Sequence, residues 1–182
     1  MNYHNITYPD MNNGSGLRVV LWLSGCNHHC KGCQNPQTWD PNGGIEFDLN
    51  ATIELFEALQ EDYISGITFS GGDPLHESNI DEVYWLCYVI KKSYPTKNIW
   101  LYTGYTWNQI FYQVVTDDLN IKRDEIINER KEIVKLCDVL IDGEYKEELR
   151  STNLPWVGSS NQRVIDVQQS LQKGEIVLWD TN

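Results

Sequence analysis

The chain has 182 residues, 41% hydrophobic and 12% aromatic with seven tryptophans, so it can bury one sizeable core and is not a disordered protein. Lys and Arg number 14 against 26 Asp and Glu, and the formal charge of −12 opposes phosphate backbones and anionic bilayers, so no nucleic-acid or membrane partner is expected. No apolar run approaches the ~20 residues that cross a bilayer, the opening MNYHNITYPD lacks a secretion signal, and a cytoplasmic protein is expected.

In chain order, β-rich runs are expected at 17–24, 66–70, 98–103, 138–142, 163–167 and 175–179. Between the first two, residues 50–62 place Leu55 and Leu59 on one face of a helix. Between the second and third, Ser78 and Asp81 resemble a capping box, followed by Val83, Leu86, Cys87 and Ile90 at helical spacing. Residues 123–136 form a third, mostly charged helical stretch. Alternation of this kind predicts right-handed βαβ units around a mostly parallel sheet, open or partly closed, in a single domain over 1–182 without repeats or linkers.

Four of these strands end in a small polar residue and glycine: Ser24-Gly25, Ser70-Gly71, Thr103-Gly104 and Asp142-Gly143. In parallel α/β folds the carboxyl ends of the strands carry the ligand site, and glycine there lets a ligand approach the backbone. A ligand-lined face is therefore expected at these exits.

Three of the five cysteines, Cys26, Cys30 and Cys33, fall within eight residues just after the first strand. An odd count in a reducing compartment argues against a disulfide framework. Three thiolates at this spacing suit either a zinc site completed by a fourth ligand or a cubane iron–sulfur cluster with one open iron. Unligated thiols fit poorly with a loop rich in Asn, His and Lys. Cys87 and Cys137 read as small core residues, and His28 and His29 as hydrogen-bonding loop residues. His4 and His76 receive no role.

The blocks VVLWLSGCNHHCKGCQNPQTWD, TFSGGDPLHESN, WLYTGYTW, DVLIDGEYKEELR and GSSNQRVIDVQQSL resemble, in order and spacing, the anaerobic ribonucleoside-triphosphate reductase activating proteins of the radical S-adenosylmethionine superfamily. The resemblance covers residues 3–171 and is weakest over 116–130 and after 171. It implies an incomplete (β/α) barrel of about six mostly parallel strands. It also implies an enzyme in which Cys26, Cys30 and Cys33 hold a [4Fe–4S] cluster and S-adenosylmethionine binds the fourth iron. Reductive cleavage of that cofactor then generates the glycyl radical of the reductase's large subunit, with reduced flavodoxin or ferredoxin as electron donor.

The same resemblance assigns Gly71, Gly72 and Asp73 to the cofactor's amino end, and Gly32, Cys33 and Gln34 to its adenine. Gly32 stands where the wider superfamily often has an aromatic residue. The alternatives are activation of another glycyl-radical enzyme of the pyruvate formate-lyase type, or a zinc-binding module without catalysis. The segments 102–105, 142–144 and 158–163 are left without assigned roles.

Overall fold

The computed structural model describes residues 1–112 and 121–180, apart from the side chains of 121–124. In chain order the elements are β1 (Asn2–Asp10), β2 (Leu17–Leu23), β3 (Ile45–Glu46), α1 (Leu49–Gln60), β4 (Ile64–Gly71), α2 (Ile80–Ser93) and β5 (Asn98–Tyr102). They continue with α3 (Trp107–Phe111), α4 (Ile121–Leu136), β6 (Val139–Asp142), β7 (Arg163–Asp166) and α5 (Val167–Lys173). All seven strands join one sheet in the order β3-β1-β2-β4-β5-β6-β7.

The central four strands, β2, β4, β5 and β6, are parallel, while β1, β3 and β7 pair antiparallel at the two sides. The sheet is therefore mixed rather than mostly parallel, with seven strands instead of about six, and among the described residues it is not closed into a barrel. β1 escapes sequence reasoning because only Tyr3 and Ile6 among its nine residues are buried, which leaves no apolar alternation to read. The run 175–179 makes a single bridge from Leu178 to Ile165 and is not a strand.

Period-2 alternation gives the parallel strands two faces. Val19, Leu21, Leu23, Ile67, Phe69, Ile99, Leu101 and Leu140 pack on Leu55, Leu59, Val83, Leu86, Ile90 and Ile133 from the helices. The other face carries a smaller cluster, in which Trp100, Val139 and Ile141 meet Tyr102, Trp156, Val164 and Trp179. Among the described residues no helix lines that second face near the strand exits, and a cleft opens there.

Helix starts differ from expectation in an instructive way. Asp48 caps α1 by accepting from the Ala51 N–H at 2.9 Å. At α2 the N-cap is Asn79, and neither Asn79 nor Ser78 caps the helix. Instead the buried Asn79 donates from Nδ2 to the Ser24 and Asp73 carbonyls at 2.8 and 3.0 Å, tying two strand exits together. The first part of the insert-like stretch 116–130 lies outside the described residues, and the rest belongs to α4.

Candidate functional site

A cleft of about 470 Å³ opens at the carboxyl ends of the parallel strands. Gly71, Gly104 and Gly143 line it, whereas Gly25 stays beneath and accepts the Asp73 N–H at 2.8 Å. Three of the four glycine-bearing strand exits therefore open into one cleft.

Cys26, Cys30 and Cys33 all line this cleft, half-buried and free of disulfides. Their loop is fastened at its root by Gly25 N–H to the Thr38 carbonyl (2.8 Å) and Cys26 N–H to the Trp39 carbonyl (3.0 Å). Left-handed residues at His29 (φ 48°) and Gly32 (φ 72°) then turn it back so that the thiols face inward. The Cys33 sulfur accepts the Asn35 N–H at 3.3 Å, the kind of contact that steadies a thiolate ligand. In the metal-free thiol, burial first and then the Asp73 charge push Cys26 up to about 11, so ligation must displace a tightly held proton. Among the described residues, no three His, Cys, Asp or Glu side chains are gathered around the point that a single metal ion would occupy.

Gly72 is where the second loop meets the first. Its N–H donates to the Leu23 carbonyl at 2.7 Å, and a Cβ there would lie 2.6 Å from the Gly25 carbonyl oxygen. Only glycine permits that approach. Gly72, Gly71 and Asp73 line the cleft, as do Cys33 and Gln34. Gly32 does not; it faces Glu147, whose Oε1 would stand 2.9 Å from an added Cβ.

Asp73 is 3% exposed, and both of its oxygens are engaged within the chain. Oδ1 accepts from Leu75 N–H (2.8 Å) and Thr103 Oγ1 (2.9 Å); Oδ2 accepts from Gly104 N–H (3.1 Å) and faces His28 Nε2 at 2.8 Å. Burial works to raise its pKa, but His28 and these donors outweigh it and hold the carboxylate below its ordinary value. His28 has the converse balance. Burial works to lower it, while Asp73 at Nε2 and Glu144 at Nδ1 (3.1 Å) together raise it. Its ring also packs edge-on against Tyr105, which lies under the Arg130 guanidinium.

The polar loop 158–163 proves to be a brace. Gln162 Oε1 accepts from the Gly158 and Ser159 N–H groups, and its Nε2 donates to the Gly143 carbonyl at 2.9 Å. Arg163 forms a two-pronged ion pair with the buried Asp142, which also accepts the Trp107 N–H at 2.7 Å. His28, expected from the sequence as a hydrogen-bonding loop residue, bonds across to two other strand exits, whereas Asn79 as a tie between loops escapes sequence reasoning.

A family model described as a 4Fe-4S single cluster domain matches residues 12–165, a span that includes all three cysteines. The anaerobic ribonucleoside-triphosphate reductase-activating protein of Enterobacteria phage T4 is 40% identical over 164 residues, 90% of this chain and 93% of that protein. The chain belongs to the anaerobic ribonucleoside-triphosphate reductase-activating protein family. The member from Escherichia coli strain K12 is 37% identical over 166 residues, covering 90% of this chain and 97% of its own length. The Haemophilus influenzae member is 35% identical over 164 residues, 89% and 96% of the two chains. Of the two readings of the cysteine triplet, zinc and iron–sulfur, the family match selects the second. Among the described residues of this family member, no helix is long and apolar enough to cross a membrane.

Proposed function

We propose that this chain, acting as one domain, activates anaerobic ribonucleoside-triphosphate reductase by generating a glycyl radical on it, as a radical S-adenosylmethionine enzyme. The observation that carries the reading is that three free cysteines and the Gly71-Gly72-Asp73 turn open into one cleft at the carboxyl ends of the parallel strands. The donor set fits a cubane cluster: three inward-facing thiols on a tightly rooted loop, with room beside them for the cofactor that completes the fourth iron. When bound, the cluster and S-adenosylmethionine supply one-electron cleavage of the sulfonium C–S bond and hydrogen-atom abstraction from glycine.

The chain's own residues supply position and electrostatics. Cys26, Cys30 and Cys33 hold three irons. Gly71 and Gly72 present backbone to the cofactor's amino end, and Cys33 and Gln34 flank its adenine, with Gly32 turning the chain outside the cleft just before them. Asp73 lends its negative charge to that amino end from within a cage of this chain's donors, so it acts as an anchor rather than as a free acceptor. In this reading the partly parallel sheet with helices on one face is an incomplete (β/α) barrel, whose open side admits a polypeptide. Reduced flavodoxin or ferredoxin serves as electron donor.

The test is anaerobic incubation of the reconstituted, reduced protein with S-adenosylmethionine and either the reductase or pyruvate formate-lyase. A glycyl-radical resonance on the reductase alone is expected. Its absence there, or its appearance on the lyase alone, overturns the reading.

A further inference from the structure

Helix α2 carries two stripes. Val83, Leu86, Cys87 and Ile90 are fully buried in the core beneath it. On its outer side Asp81, Trp85, Tyr88 and Lys92 follow one another at i, i+4, i+7 and i+11, which keeps them in one line along the helix. Trp85 is 46% and Tyr88 47% exposed, and Asp81 and Lys92 at the two ends are exposed as well.

The aromatic middle of this stripe is broader than the helix. Phe56 of α1 meets the Trp85 ring edge-on at 6.2 Å and stacks on Tyr94 at 5.8 Å, while the exposed Tyr84 widens the patch on α2 itself. Single exposed apolar side chains are ordinary on a surface, but aromatic rings in contact with one another are what the centre of a protein interface is made of. The charged ends are uncommitted. Among the described residues neither Asp81 nor Lys92 has an ion pair inside the chain, and the Lys92 ammonium lies over the Tyr88 ring at 5.8 Å.

The stripe is also self-complementary. Its steps of four, three and four residues read the same from either end, with an acid at one end, a base at the other and aromatic rings between. Two copies of α2 packed antiparallel, about a two-fold axis between positions 86 and 87, set Asp81 against Lys92 of the second copy at both ends. The same operation sets Trp85 against Tyr88 of the second copy on both sides of the axis. A parallel pairing would oppose Asp81 to Asp81 and Lys92 to Lys92, so the charges select the antiparallel arrangement.

This face leaves the cleft free. At the start of α2 Asn79 bonds the Ser24 and Asp73 carbonyls at the strand exits, whereas beyond its end Lys97 Nζ donates to the Ile64 carbonyl, where β4 begins, at 2.6 Å. The helix therefore runs back against β4. Antiparallel pairing of two such helices points the two clefts toward opposite ends of the pair, where each has room for its own large partner.

We propose that the outer face of α2 is an interface between two copies of this chain, with Trp85 and Tyr88 at its centre and two Asp81–Lys92 pairs setting an antiparallel register. The interface is independent of the radical chemistry.

The test is sedimentation equilibrium of the anaerobic, cluster-loaded protein as wild type, Asp81→Lys, Lys92→Glu and the double charge swap. Both positions are exposed and the new residues are good helix formers, so the fold is kept. Wild type is expected to dimerise. Each single change turns both ion pairs into like-charge contacts and raises the dimer dissociation constant about tenfold. The double swap restores opposite charges and returns it to within about twofold of wild type. A wild type that stays monomeric overturns the proposal, as does a dimer that neither single change weakens or that the double swap fails to restore. Monomeric wild type whose complex with the reductase is weakened by Asp81→Lys overturns it in favour of the reductase as the occupant of this face.

Discussion

His28 Nε2 stands 2.8 Å from Asp73 Oδ2, and this contact joins the cysteine loop after β2 to the turn after β4. The opposite ring nitrogen faces Glu144 Oε1 at 3.1 Å beyond β6, so one imidazole spans three strand exits. An ionised carboxylate only accepts, so a ring placed between two of them donates from both nitrogens. His28→Ala should lower the unfolding free energy of the metal-free protein by about 2 kcal/mol, roughly 4–8 °C in Tm. Thermal melts of the two proteins check this, and equal melting temperatures would remove His28 from the account.

The same pair sets a pH dependence. The raised His28 contributes stability fully below its ordinary value of 6.5 and loses it as pH rises through the higher folded value. The depressed Asp73 contributes above its ordinary 3.8 and loses that contribution as pH falls through the lower folded value. The gap in Tm between wild type and His28→Ala should therefore be widest between these two values and narrow as the solution becomes more alkaline. A gap that widens with rising pH would contradict the assignment.

Gly72→Ala tests the close approach of the two loops. The added methyl has the Gly25 carbonyl oxygen at 2.6 Å and the Leu23 carbonyl oxygen at 3.0 Å, both backbone atoms that cannot rotate away. The root of the cysteine loop must shift, so iron content after anaerobic reconstitution should fall, along with Tm. Iron at the wild-type level would show that the loops are not coupled through this glycine.

Much of this arrangement was legible in the chain, for reasons that can be named. The parallel strands are apolar because both faces are covered along most of their length, so runs such as Val19–Leu23 announced themselves. The cysteine motif and the strand-exit glycines are local in sequence, and the cleft gathers the three cysteines with Gly71, Gly104 and Gly143 but leaves Gly25 out. What stayed hidden depends on distant partners. Arg18 looks like a surface cation until Thr68, Ile67 and Asn98 arrive from other strands, and Asp73 looks free until His28, Thr103 and Gly104 enclose it. The capping box read at Ser78 and Asp81 does not form, because Ser78 Oγ pairs with His76 and Asn79, while the Asn79 amide is taken by the carbonyls of Ser24 and Asp73.

Arg163→Ala should destabilise the protein by about 2 kcal/mol in chemical denaturation. It strands the buried Asp142 with Trp107 N–H as its remaining donor, but the Arg163 side chain is 37% exposed, which keeps the cost below the roughly 3–5 kcal/mol of a wholly buried pair. Asp142→Asn in the Arg163→Ala background should recover part of the loss. No recovery would mean that packing, not the stranded charge, carries the effect.

The cysteines divide into two classes by position. Cys26, Cys30 and Cys33 open on the cleft, whereas Cys87 and Cys137 are fully buried in the helix-facing core. Alanine at any of the first three should reduce bound iron and acid-labile sulfide to a small fraction of wild type. Cys87→Ala should keep full iron and sulfide while lowering stability by about 1 kcal/mol. Iron loss in the Cys87 variant would show that the ligand set has been misread.

The most direct measurement is electron paramagnetic resonance of the anaerobically reconstituted, reduced protein, recorded with and without S-adenosylmethionine. The account predicts a reduced [4Fe–4S] resonance that changes shape when the cofactor is added, because the cofactor completes an open iron next to the Gly71-Gly72 turn. A cluster resonance indifferent to the cofactor, or bound zinc with no acid-labile sulfide, would contradict it.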